Sequence, residues 1–143
     1  MRIVVDGNPI AKKRPRFVRR GKFVSTYNPQ ETEEGRFLLL AKGQISGPLQ
    51  GPLRVDCIFY MPRPKSHYGT GKKAGVLKQD APLYHTKKPD IDNLQKTVYD
   101  CLNGFAWSDD SIICISESKK LYSDRPRTEI VIMEVDNEWR EKS

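Results

Sequence analysis

Hydrophobic and polar positions change period several times along the chain, and each change predicts an element. Ile3, Val4 and Val5 form an apolar opening closed by Asp6-Gly7, which reads as a short strand ending in a turn. Pro9 to Tyr27 is basic, broken by Pro15 and Gly21, and reads as loop. From about Pro29 to Lys42, Phe37, Leu38, Leu40 and Ala41 supply the apolar face of a helix with Thr32 or Asn28 as its cap. Gly43 to Pro52 is a connection. Leu53, Val55, Cys57 and Phe59 then alternate with Arg54, Asp56, Ile58 and Tyr60, a strand with one buried face that ends at Met61-Pro62. Residues 62–88 have no period, and a loop that long is either functional or disordered. Its centre, Gly69 to Gly75, is expected to lack a fixed conformation until a ligand orders it. Pro89 opens the clearest helix, with Ile91, Leu94, Val98, Cys101 and Leu102 on one face and Asn103-Gly104 at its end. Ser111 to Tyr122 and Thr128 to Val135 read as two strands, and the turn-like segment between them predicts an antiparallel hairpin. The order strand, helix, strand, helix, strand, strand predicts an α/β fold, a single domain over residues 1–143 in which helices flank a mixed sheet.

Composition narrows the class. A chain of 143 residues buries enough surface to fold without disulfide or structural metal. Cys57, Cys101 and Cys114 form no Cys-x-x-Cys pair, which argues against structural zinc and fits a reducing compartment. The N-terminus lacks the apolar core of a signal peptide and no membrane-spanning run occurs, so a cytoplasmic protein is expected. The net charge is +7, and 14 of the 25 basic residues lie in two segments, Lys12 to Lys22 and Arg63 to Lys88. Such segments suit a nucleic-acid backbone, although basic runs can also serve solubility alone.

Against that charge, residues 88–110 gather five aspartates. Asp90 and Asp92 stand in the first turn of the helix, where carboxylates are favoured and where capping is the plain explanation. Asp92, Lys96 and Asp100 share one helix face, and an exposed ion-pair row would account for them. Asp109 and Asp110 lead into the next strand. If that strand runs beside the start of the helix, one of them approaches Asp90 and Asp92. Three carboxylates without histidine or thiolate suit Mg²⁺, which takes oxygen ligands and can activate water at a phosphodiester.

Asp90-Ile-Asp92-Asn93-Leu-Gln-Lys96, followed by Asp100 and Asp109-Asp110, resembles the core motif of the RusA family of Holliday-junction resolvases, common in phages and prophages. The element order extends that resemblance over most of the chain. It implies a homodimeric endodeoxyribonuclease, dependent on Mg²⁺ with Mn²⁺ as a substitute, that makes paired nicks in four-way DNA junctions during recombination and repair. By position it assigns Asp90, Asp92 and Asp110 to the metal and Lys96 to catalysis. Asp109 and Asp100 are left in support. Lys12, Lys13, Arg14 and Arg16 resemble a basic N-terminal DNA-binding segment, and Lys120 falls where family members carry a lysine that reaches DNA. Lys87 and Lys88 join this DNA-binding set. Two rivals stand beside this reading, a nuclease preferring other branched DNA and a non-catalytic nucleic-acid-binding phage protein. His85 is more readily a hydrogen-bonding or stacking residue than a general base, and Tyr60, Tyr68 and Tyr84 are candidates for stacking on bases.

Overall fold

The computed structural model describes residues 1–12, 16–20, 23–27 and 31–136, with the backbone alone for 16–20 and 23–27. Strand β1 (Arg2–Asp6) is followed by β2 (Arg16–Arg20), β3 (Phe23–Tyr27), helix α1 (Glu31–Lys42), β4 (Leu53–Pro62), helix α2 (Ile91–Leu102), β5 (Ile113–Ser123) and β6 (Arg127–Glu134). The α/β class holds, with a four-stranded mixed sheet in the order β1-β6-β4-β5.

β4 owes its central place to its alternation: Leu53, Val55, Cys57, Phe59 and Met61 are all buried, and both of its edges are paired. Ile3, Val5, Ile130 and Ile132 extend this apolar face across β1 and β6. α2 covers it with Leu94, Val98 and Leu102, and α1 with Phe37 and Ala41 one turn apart. Each of these Leu, Val, Ile and Phe side chains contributes about 1.5–3 kcal/mol when taken from water. Leu40, expected on the inner face of α1, is 42% exposed. Thr32 is not the cap, because the helix already begins at Glu31; Asn28 lies outside the described residues.

Two expectations fail. β5 and β6 are not a hairpin. β4 lies between them, parallel to β5 and antiparallel to β6, so the link Asp124 to Pro126 crosses the end of β4. β4 carries a buried alternate row of five residues and is paired on both edges, whereas β5 exposes residues 114–117 and takes the edge. The basic segment is not loop throughout either, since β2 and β3 form an antiparallel ribbon from Arg16↔Tyr27 to Arg20↔Phe23.

The parallel β4–β5 pair requires a crossover, and α2 provides it. The helix therefore runs antiparallel to both strands. Its start lies beside the C-terminal half of β5 and its end beside the beginning of β5. The loop 62–88 closes over that C-terminal half as a short added strand: His85 N–H donates to Lys120 O (3.0 Å), and Tyr122 N–H donates to Leu83 O (2.9 Å). Its centre has a defined path, contrary to expectation. Gly69 N–H bonds Val76 O, Ala74 N–H bonds Gly71 O, and a Cβ on Gly69 would meet Lys73 Cβ at 2.7 Å, so only glycine fits there.

Candidate active site at the start of α2

The segment entering α2 is held from β5. Lys120 Nζ donates to Lys87 O (2.7 Å) and Pro89 O (2.8 Å), so an ammonium expected on DNA is bonded to the backbone just before Asp90. Asp90 occupies the N-cap position, but its side chain makes no capping hydrogen bond. Asp92 Oδ1 accepts from its neighbour Asn93 N–H at 2.9 Å. Both carboxylates are exposed, and neither forms an ion pair among the described residues. Capping and charge pairing thus leave this acidic pair unexplained.

Lys96, one turn on, is also exposed and makes no ion pair with Asp92 or Asp100. The ion-pair row does not form. Asp100 instead faces Lys12, whose Nζ lies 2.9 Å from Glu34 Oε1 and 3.3 Å from Asp100 Oδ2. Burial works to lower the Lys12 pKa, but these two carboxylates outweigh it and leave the pKa raised. With Lys12 N–H donating to Asn93 O, Lys12 ties the N-terminal segment to α1 and α2. Lys13 and Arg14 lie outside the described residues, as does the Arg16 side chain.

Asp110 does not join Asp90 and Asp92 within the chain. It sits in the 3-10 turn before β5, and its Oδ1 accepts from buried Trp107 Nε1 at 2.6 Å. Trp107 pairs with Asn103 at the end of α2 and packs edge-on against Tyr99. A 12-residue helix is about 18 Å long, and its length separates Asp110 from Asp90. Among the described residues no three His, Cys, Asp or Glu side chains are grouped to hold a metal ion. The condition for a cage within one chain, that β5 begin beside the start of α2, is not met. Asp109 acts as a cap: its Oδ2 accepts from Ser111 N–H, and hydrogen bonding from the Ser111 side chain, then from its backbone N–H, lowers the Asp109 pKa.

The loop brings in residues that sequence spacing did not reveal. Tyr122 stands between His67 and His85, both edge-on at 4.7 and 4.9 Å, with the Arg63 guanidinium 5.4 Å from its ring. Burial, then Lys120 and Lys87, lowers the His85 pKa, and its buried Nδ1 has no hydrogen-bond partner among the described residues. Gln95 and Tyr99 fasten α2 to β5 through Ser118 and Ser116. These contacts cross from helix or loop to strand, so no local period signals them.

An exposed acidic pair, an uncommitted lysine and a basic loop converging on one helix start make an arrangement suited to a phosphodiester. The family model described as "Endodeoxyribonuclease RusA" matches residues 6–133. The chain belongs to this family of endodeoxyribonucleases. It is also 34% identical to the uncharacterized protein YqaN of Bacillus subtilis (strain 168), over 94% of this chain and 96% of that protein.

Proposed function

We propose that the protein is a divalent-cation-dependent endodeoxyribonuclease that cuts branched DNA, with the four-way junction as substrate and paired nicks as product. One observation carries the reading: the acids at the start of α2 are bound neither as caps nor, among the described residues, as ion pairs, in a chain whose family cleaves DNA. The residues fit the ion in part. Asp90 and Asp92 are two hard oxygen donors on an exposed helix start, and Mg²⁺ is commonly held by one or two carboxylates together with water and phosphate. When bound, the cation supplies an activated water and offsets charge developing on the phosphate.

Lys96 projects one turn beyond Asp92 and is suited to hold a phosphate oxygen as it gains charge. Lys87 and Lys88 precede the acids and draw the backbone in, while Lys120 holds their segment in place. Asp110 lies past the far end of α2 from Asp90 and does not complete the set in the same chain, so the third carboxylate comes from a second copy in a homodimer. Paired nicks need two such sites, which a two-fold arrangement supplies.

The test is incubation of a labelled four-way junction with the protein in Mg²⁺ or Mn²⁺. Wild type nicks opposed strands, and Asp92→Asn binds without nicking. Flaps cut in preference to junctions would point to another branched substrate. Binding without cleavage in either metal refutes the nuclease reading and favours the DNA-binding alternative, for which the separation of Asp110 from Asp90 is the supporting observation.

A further inference from the structure

Of the three tyrosines that could stack on bases, the fold commits two. The Arg127 guanidinium lies 3.7 Å from the Tyr60 ring centroid, and Tyr68 Oη donates to Asp124. Tyr99 and Tyr122 are also engaged, by Ser116 and Trp107 and by the two histidines. Tyr84 differs. It is 61% exposed beside Leu83, itself 56% exposed, and no hydrogen bond or ring contact holds its side chain among the described residues.

Its backbone, by contrast, is fixed. Tyr84 bridges Leu121, with Leu83 O and His85 N–H bonded to β5 on either side, and Pro82 O accepts from Arg63 at 2.9 Å. A ring on a mount bonded at Pro82, Leu83 and His85 costs little entropy to present to a ligand. Its mount shares β5 with the acid site, since Leu121 bridges Tyr84 and the adjacent Lys120 holds Pro89. The surroundings select the ligand. Lys65, Lys78, Lys87 and Lys88 are exposed and free of ion pairs among the described residues, whereas Lys12 and Lys119 are paired. Apolar surface on a loop that also carries exposed lysines without ion pairs among the described residues fits a nucleobase flanked by phosphates better than it fits another protein's apolar patch.

We propose that Tyr84, backed by Leu83, is a stacking platform for a base left unstacked where a DNA duplex branches. Continuous duplex hides its base faces and gains little from the ring, so Tyr84 contributes selectivity for the branch. The Tyr84 inference rests on the branched-DNA reading, and the experiment separates the two.

Dissociation constants are measured in Ca²⁺, without cleavage, for a four-way junction and a linear duplex of equal length. The proteins are wild type, Tyr84→Ala and Tyr84→Phe. Stacking predicts junction binding about tenfold weaker in Tyr84→Ala, unchanged duplex binding, and a Tyr84→Phe variant close to wild type. Equal junction binding by wild type and Tyr84→Ala overturns the proposal and leaves branch recognition intact. A wild type that binds junction no better than duplex overturns both, and does so before any variant is made. Light scattering is read alongside; a lower mass for Tyr84→Ala assigns the ring to a contact between copies and overturns the stacking role.

Discussion

Mixing two inactive variants tests whether the acids of one site come from two chains. Asp92→Asn disables the carboxylate pair at the start of α2, and Asp110→Asn disables the carboxylate at the other end. Oxygens sharing one Mg²⁺ bond at about 2.1 Å must lie within about 4 Å of each other. The two acids lie toward opposite ends of α2, a helix about 18 Å long, and no group of three such side chains forms in one chain among the described residues. Equal amounts of the two variants, dissociated and re-paired, give about half mixed dimers under two-fold pairing. In each mixed dimer one site receives both substitutions and the other neither. About one site in four is therefore intact across the population, and the mixture nicks a labelled junction at roughly a quarter of the wild-type rate. It cuts one strand per junction, because each mixed dimer has a single working site. Asp90→Asn mixed with Asp92→Asn stays inactive, since both changes fall on the same acidic pair. A mixture of Asp92→Asn and Asp110→Asn as inactive as its parents refutes the shared site.

Three further outcomes follow from particular contacts. Lys12→Ala loses partly exposed ion pairs to Glu34 and Asp100 and is expected to cost about 1 kcal/mol in urea unfolding, with the salt dependence of DNA binding unchanged. Lys96→Ala has the opposite profile: stability within about 0.5 kcal/mol of wild type and nicking abolished. Trp107→Phe removes the donor bonded to the Asp110 carboxylate and is expected to cost about 1–3 kcal/mol, with slower nicking as that carboxylate loses its orientation. For pH, burial, followed by nearby positive charge, lowers both histidine pKa values: Lys120 and Lys87 for His85, and Arg63, Lys87 and Lys78 against Asp80 for His67. Folded values below the unfolded one mean that protonation favours the unfolded chain. The contribution is complete above about pH 6.5 and is lost as pH falls through the folded values. Melting temperature should drop between pH 7 and 5, and a His67→Gln/His85→Gln variant should drop less; equal slopes would refute the assignment.

What could be read from the sequence was what repeats locally. α2 was legible because Leu94, Val98, Cys101 and Leu102 recur at helical spacing and Gly104, at φ +81°, ends it. β4 was legible because its buried row alternates without a break. The ribbon β2–β3 was missed because charged and polar residues between its apolar positions read as loop. The roles of Lys12 and Lys120 were missed for a different reason: a lysine's sequence neighbours do not reveal whether its ammonium will meet solvent, a carboxylate or a carbonyl.

The sequence by itself determined the family, the α/β class and the chemical kinds gathered near residue 90, because motif spacing and hydrophobic period are properties of the chain. Tertiary structure decided how those kinds are distributed. It placed β4 between β5 and β6, bonded Lys12 and Lys120 within the fold, left Lys96 and Tyr84 without a side-chain partner among the described residues, and set Asp110 past the far end of α2. The physical reason is the parallel crossover. Joining β4 to β5 makes α2 run back along the sheet, so residues near in sequence at its two ends are held a helix length apart.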